Sequence, residues 1–249
     1  MFSGGGCLLR SLLLVGKSGS GKSSLCNRIA SPESRANIFP VSSKPGLCTT
    51  RAKTAEVLLG GDSEKPTLLL DTPGFDEQHT EDYRIEMESL KTKMDQINLV
   101  GIIINGQTPR VDASFLKMVD VLEDIFGPTF FSRSVVIFTK IAMDSKAKAK
   151  RLKNTGKTDE EFAQEFLKDL HKRFLPAEVP FLFLDSFFDN KNQDEAKEFQ
   201  HALDHIQTLV TDYTTKNFTE DSKPVASNRE GAHPQNRVSL RRKRFRKCR

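Results

Sequence analysis

Leu8-Leu9-Arg10-Ser11-Leu12-Leu13-Leu14-Val15 runs straight into Gly16-Lys17-Ser18-Gly19-Ser20-Gly21-Lys22-Ser23, and then into Ser24-Leu25-Cys26-Asn27-Arg28-Ile29. The order is a buried apolar strand, a GxxxxGK[ST] loop and the start of a helix. That is the context a phosphate-binding loop requires. Glycine lets the backbone wrap closely around an anion, so that successive N–H groups point inward. In this reading Gly16 to Ser23, with Ser24 behind them, cradle a nucleotide's phosphates. Lys22 reaches the β- and γ-phosphates, and Ser23 ligates Mg²⁺.

Working outward, Leu68-Leu69-Leu70-Asp71-Thr72-Pro73-Gly74 puts an acid at the carboxyl end of a second apolar run. α/β sheets concentrate their ligand chemistry at that end. Asp71 suits Mg²⁺ coordination through water, and the Gly74 N–H suits the γ-phosphate. Between the two motifs lies Gly46-Leu47-Cys48-Thr49-Thr50. A threonine here can cap Mg²⁺ and sense the γ-phosphate; Thr49 is the first choice and Thr50 the alternate.

The rest of the chain continues the alternation. Thr67–Leu70, Asn98–Ile104, Ser134–Phe138 and Pro180–Leu184 read as buried strands. Ser23–Ile29, Glu81–Ile97 and Asp112–Phe126 read as helices, the last stopped by Gly127-Pro128. Phe162, Phe166, Leu170 and Phe174 share one helix face, as do Phe199, Leu203, Ile206 and Val210. Lys53–Leu59 and Pro66–Leu70 flank Gly60-Gly61-Asp62 and suggest an antiparallel hairpin. The expected fold is α/β, a doubly wound and mainly parallel sheet of the P-loop NTPase type. The acid-free stretch Ser145–Lys157 reads as a solvated insert.

The 249 residues carry a formal net charge of +5, placed unevenly. From Lys216 onward there are 11 basic against 3 acidic residues, a net of +8. The remainder is slightly acidic, so the basic balance belongs to the tail. A nucleic-acid-binding domain is expected to carry its positive charge on the folded part, so no specific nucleic-acid partner is expected. No apolar run approaches the length of a membrane span, and no signal-peptide pattern is read at the start. The four cysteines are scattered without metal-ligand spacing, which fits reduced thiols and a cytoplasmic protein.

The P-loop, Asp71-Thr72-Pro73-Gly74-Phe75, INGQTPRVDASF with Phe126-Gly127 after it, VVIFTK, and GKTDEEF ahead of FLFLDS together resemble the AIG1 (GIMAP-like, immunity-associated) family of P-loop GTPases. The resemblance implies an AIG1-type G domain over residues 8–213; beyond it, residues 214–249 are basic and, from Thr219, lack apolar periodicity, and so read as a disordered tail. It implies GTP or GDP with Mg²⁺, GTP-driven dimers or filaments, and attachment to intracellular membranes.

The sequence departs from GTPase pattern at two places. Guanine is usually read by [NT]KxD. Here Thr139-Lys140 is followed by Ile141-Ala142, and the first acid is Asp144, two positions late. The last base-contacting loop falls at Asp185-Ser186, with Ser186 the candidate contact. On the catalytic side, the residue after the DxxG glycine is Phe75, which cannot hydrogen-bond a water. Slow basal turnover is therefore expected. Arg110 is the candidate finger supplied across a nucleotide-bridged dimer, or simply a loop-capping arginine. A GTP-binding scaffold that does not hydrolyse, and a P-loop ATPase, are the alternatives.

The end, Arg241 to Arg249, has seven basic residues in nine, with Cys248 beside them. Each basic residue at an anionic bilayer contributes about 1 kcal/mol, and an acyl group on Cys248 would add the second signal of a stable anchor. A nuclear-import run and a merely solvated end are the other readings.

Overall fold

The computed structural model describes residues 10–31, 37–41, 49, 51–59, 66–93, 97–174, 179–189 and 191–215. Six strands form one sheet: β1 (Arg10–Gly16), β2 (Lys53–Val57), β3 (Thr67–Asp71), β4 (Leu99–Asn105), β5 (Ser134–Thr139) and β6 (Phe181–Phe183). Their order is β2-β3-β1-β4-β5-β6. Only β2 runs antiparallel, against β3, with Lys53 opposite Asp71. The other neighbours are parallel. From β1 the chain steps to β3 on one side and then to β4 on the other. That reversal makes the carboxyl end of β1 the switch point, where such sheets open a ligand crevice.

Strand composition follows burial. β1 is buried along its whole length, as expected of a central parallel strand covered on both faces. The edge strand β2, with Lys53, Thr54 and Glu56 exposed, meets solvent.

The helices are α1 (Lys22–Ala30), α2 (Thr80–Lys93), α3 (Ala113–Phe126), α4 (Ser145–Thr155), α5 (Asp159–Phe174) and α6 (Gln193–Thr215). One face of the sheet packs against α2, α3 and α5 through Met87, Met118, Leu122, Phe166 and Leu170. The other packs against α1 and α6 through Leu25, Ile29, Phe199, Leu203 and Ile206. Phe166 and Leu170, with Phe162 partly buried beside them, form the inward stripe of α5, and Phe199, Leu203, Ile206 and Val210 that of α6.

The mixed sheet of mostly parallel strands between helices is the doubly wound architecture the alternation predicts. Two details differ. The stretch expected to be a solvated insert is exposed, but Ser145–Thr155 of it is helical and buries none of its residues. Asp144 caps its start and the left-handed Gly156 ends it. Alanine, lysine, arginine and leucine are strong helix formers, so the caps suffice to define it. The stretch expected to be helical from Glu81 ends, among the described residues, at Lys93. Thr50, the turn at Gly60-Gly61-Asp62 and the basic tail from residue 216 lie outside the described residues, while Thr214 and Thr215, expected in the tail, close α6.

Candidate functional site at the switch point

The carboxyl ends of β1, β3, β4 and β5 converge on the loop between β1 and α1. Gly16 sits hard against β4: a Cβ there would lie 2.6 Å from the Ile103 carbonyl oxygen. Gly74 sits hard against the loop, where a Cβ would lie 2.5 Å from Ser18 Cα. Gly19 and Gly21 have φ of 74° and 96°, the left-handed region that favours glycine. The loop's glycines are thus required by close approach and by backbone conformation.

Two backbone hydrogen bonds stitch the loop to the exit of β3. Ser18 N–H donates to Phe75 O at 2.9 Å, and Phe75 N–H donates to Gly16 O at 3.0 Å. The Phe75 ring is buried and meets Tyr83 edge-on at 5.2 Å. The position where many GTPases carry a water-orienting glutamine is here a core anchor. Gln78 and His79 are exposed in the short turn that follows.

The loop is also held from β5. The Thr139 hydroxyl donates to Ser20 O at 2.6 Å, with Ile104 O at 3.2 Å. Lys140 Nζ donates to Gly19 O at 2.7 Å. Lys140 reaches it from a left-handed backbone, φ 57°, a conformation that costs a lysine about 1 kcal/mol or more.

Lys22 is buried, and its ammonium donates to Gly16 O at 3.0 Å and Lys17 O at 3.1 Å. Burial pushes its pKa down to about 8, against the opposing pull of Asp71 and Cys26. A buried cation held only by carbonyls is strongly disposed to receive an anion.

Asp71 is fully buried, and among the described residues neither carboxylate oxygen has a hydrogen-bond partner. Burial pushes its carboxyl up, while Ser23, Lys22, Lys53 and Cys26 around it pull it back. Ser23 Oγ lies 3.4 Å from Thr49 Oγ1, and Thr49 is itself buried. The orphaned carboxylate and the two hydroxyls are hard oxygen donors. They fit a Mg²⁺ ion, which keeps several waters and uses few protein ligands. Among the described residues no cluster of three His, Cys, Asp or Glu side chains offers a different metal site.

Three further residues expected at the site have these surroundings. Asp144, expected to read the base, is engaged as the N-cap of α4: its Oδ1 accepts from Ala147 N–H at 2.9 Å. That hydrogen bond lowers its carboxyl below the ordinary value. Ser186 is buried at the turn after β6, and among the described residues its hydroxyl has no partner. Arg110 is exposed. With Thr108, Asn105 and Asp112 it lines a cleft of about 390 Å³ over Ser18 and Gly19.

Three contacts had no evident signal in the sequence: the Phe75 stitch, the Thr139 hydroxyl on the loop, and an ion pair between Lys17 Nζ and Asp112 Oδ2 at 2.7 Å. Asp112 also caps α3, accepting from Phe115 N–H.

Residues 10–237 match the profile of the AIG1 family. The chain belongs to the AIG1 family. No curated protein sequence matches it. Among solved structures it is similar to Toc33 of Arabidopsis thaliana in complex with GDP and Mg²⁺. There the identity is 16%, with 82% of this chain and 84% of that one covered at a TM-score of 0.55. A structure from work on the role of dimerisation in the GTPase activity of the chloroplast translocon components atToc33 and psToc159 gives 16% identity. It covers 85% and 86% of the two chains at a TM-score of 0.60. Era in complex with MgGDPNP and a segment of 16S ribosomal RNA gives 16% identity over 84% of this chain and 58% of that one, at 0.54. These likenesses establish the P-loop GTPase fold, in agreement with the family.

Thr139→Val keeps the shape of the side chain and removes its hydroxyl. It leaves the buried Ser20 carbonyl without its donor and should cost about 1–3 kcal/mol. Urea unfolding should show a lower midpoint at unchanged slope. An unchanged midpoint would mean that this bond does not hold the loop.

Proposed function

We propose that this AIG1-family protein binds guanine nucleotide with Mg²⁺ and works as a slow GTPase switch whose GTP form self-associates at an intracellular membrane. The observation that carries the reading is the pairing of Lys22, a buried cation held by loop carbonyls, with Asp71, a buried carboxylate whose oxygens have no partner within hydrogen-bond geometry among the described residues. Both are left incompletely paired at the mouth of a phosphate-binding loop. In this reading Lys22 exchanges loop carbonyls for phosphate oxygens. The backbone N–H groups of Gly16 to Ser24 orient the phosphates, and Gly74 N–H meets the γ-phosphate. Ser23, Thr49 and Asp71 would hold Mg²⁺, which would supply neutralisation of the phosphates' negative charge.

Slow turnover follows from Phe75. Its ring is fixed in the core against Tyr83, so it cannot orient water. An arginine finger contributes roughly 10³–10⁵ in rate, and Arg110 stands exposed beside the loop. In the proposed dimer it reaches the partner's phosphates. In Toc33, a structural relative, a mutant with one arginine replaced by alanine is deficient in dimerisation. The second reading, a scaffold that binds GTP and barely hydrolyses it, draws on the same Phe75.

Lys22→Ala should abolish GTP and GDP binding while circular dichroism stays that of the native protein. Unchanged affinity would sink the P-loop assignment. In the intact protein, phosphate release per molecule should climb with protein concentration. Arg110→Ala should flatten that climb while leaving affinity within about 3-fold, because a finger acts on the transition state. A flat profile in the unsubstituted protein favours the scaffold.

The basic tail is the proposed membrane address. Truncation before Arg241 should abolish flotation with phosphatidylserine vesicles at about 0.1 M salt without altering GTP affinity. Flotation equal to that of the full chain would move the membrane contact into the G domain.

A further inference from the structure

The cleft of about 390 Å³ over Ser18 and Gly19 is distinct from the phosphate cradle, since Lys22, Ser23 and Asp71 do not line it. It lies between the first half of the loop, the exit of β4 and the turn that leads into α3.

Its side chains are rich in donors that have nothing to donate to. The Thr108 hydroxyl and the Arg110 guanidinium make no hydrogen bond among the described residues. Asn105 Oδ1 accepts from Gln107 N–H at 3.1 Å, which leaves its NH₂ group as a donor. Lys17 Nζ uses one of its three protons on Asp112 Oδ2. Ser20 is 4% exposed and stands in the same wall, and its hydroxyl has no partner among the described residues. The acid in the wall is already engaged: Asp112 Oδ2 is held by Lys17 and Oδ1 by Phe115 N–H. Two cations, three neutral donors and an acid with both oxygens taken select a ligand with several acceptors and negative charge. That is the chemistry of a tetrahedral oxyanion.

The place of the cleft decides which oxyanion. Gly74, whose N–H meets the γ-phosphate in the reading above, is packed against Ser18, and Ser18 is part of the cleft wall. The cleft therefore opens at the γ end of the loop. We infer that it is a second anion site, which holds the inorganic phosphate split from GTP while GDP still occupies the loop. The inference rests on the GTPase reading, in which GDP and phosphate are the two products. Lys17, Thr108 and Asn105 donate to the phosphate oxygens, and Ser20 gains the acceptor it lacks. Arg110 is drawn onto the same ion, so phosphate leaves before Arg110 is free for a partner's nucleotide.

The test loads the full-length protein with GDP and Mg²⁺ and titrates it with inorganic phosphate in a calorimeter, at fixed ionic strength with chloride as the balancing anion. Phosphate should bind saturably at one site with a Kd of about 1 mM, and sulfate, of the same shape, should compete. Thr108→Val keeps the shape of an exposed side chain outside the loop. It should weaken phosphate about 5-fold and leave GDP within about 3-fold. Lys17→Gln should weaken phosphate about 10-fold or more. Ser20→Ala removes a hydroxyl that has no partner until phosphate binds. It should weaken phosphate without lowering the thermal midpoint measured in chloride alone, which a merely structural role would lower. If either loop variant fails to fold, Thr108→Val still decides the matter. Phosphate that binds only the nucleotide-free protein and is expelled by GDP occupies the loop itself and overturns the inference. So does an affinity that Thr108→Val leaves unchanged, or one that chloride competes away as well as sulfate does. Each of these leaves the nucleotide reading intact, whereas failure of GDP to load would overturn both.

Discussion

Everything at the crevice depends on how closely the β1–α1 loop is pressed between the exits of β3 and β4. The Ser18–Phe75 and Phe75–Gly16 backbone bonds join the loop to the Asp71-Thr72-Pro73-Gly74 segment. The Ile103 carbonyl leaves no room for a side chain at Gly16. This packing brings Lys22 and Asp71 into the same buried space and leaves each incompletely paired. A buried charge without full compensation is costly. Its retention at the switch point of a parallel sheet marks where binding energy is to be recovered. The same stitch explains Phe75. A residue whose N–H and C=O both tie the loop, and whose ring fills the core beside Tyr83, serves the fold first.

The loop's other restraints tie it to the remaining exits. Thr139 and Lys140 hold it from β5, and Lys17 reaches Asp112 at the cap of α3. A change at the phosphates therefore has short mechanical routes to the α3 start, where Arg110 lies. It has another to the turn after β6, whose strand pairs directly with β5.

Much of this was legible in the sequence. The strand–loop–helix order at Leu8 to Ile29 and the acid of Asp71-Thr72-Pro73-Gly74 are local patterns. So are the apolar stripes of α5 and α6, and period and motif read them directly. What escaped was tertiary. The Lys17–Asp112 pair spans 95 residues, and the Thr139–Ser20 bond spans 119. No local pattern announces either. Asp144 is the instructive case. Expected to read the base, it also opens a helix, through one of its two carboxylate oxygens. The signal was present in an aspartate followed by helix-forming residues and closed by Gly156. The absence of an apolar stripe hid that helix. Ser186 was placed by its position after the last strand and is buried in the turn there, whereas Arg28 carried no sign of its place beside a cleft.

The central claim is that Lys22 and Asp71 are the two halves of a Mg²⁺–guanine-nucleotide site. Its most direct measurement is the thermal unfolding midpoint of the intact protein against GDP concentration, with Mg²⁺ and with chelator. A ligand that binds only the folded state stabilises it by RT ln(1 + [L]/Kd), or about 2.7 kcal/mol at 100 Kd. The account predicts a midpoint that climbs with the logarithm of GDP concentration in Mg²⁺ and climbs less in chelator. A midpoint unmoved by GDP in the presence of Mg²⁺ would contradict it.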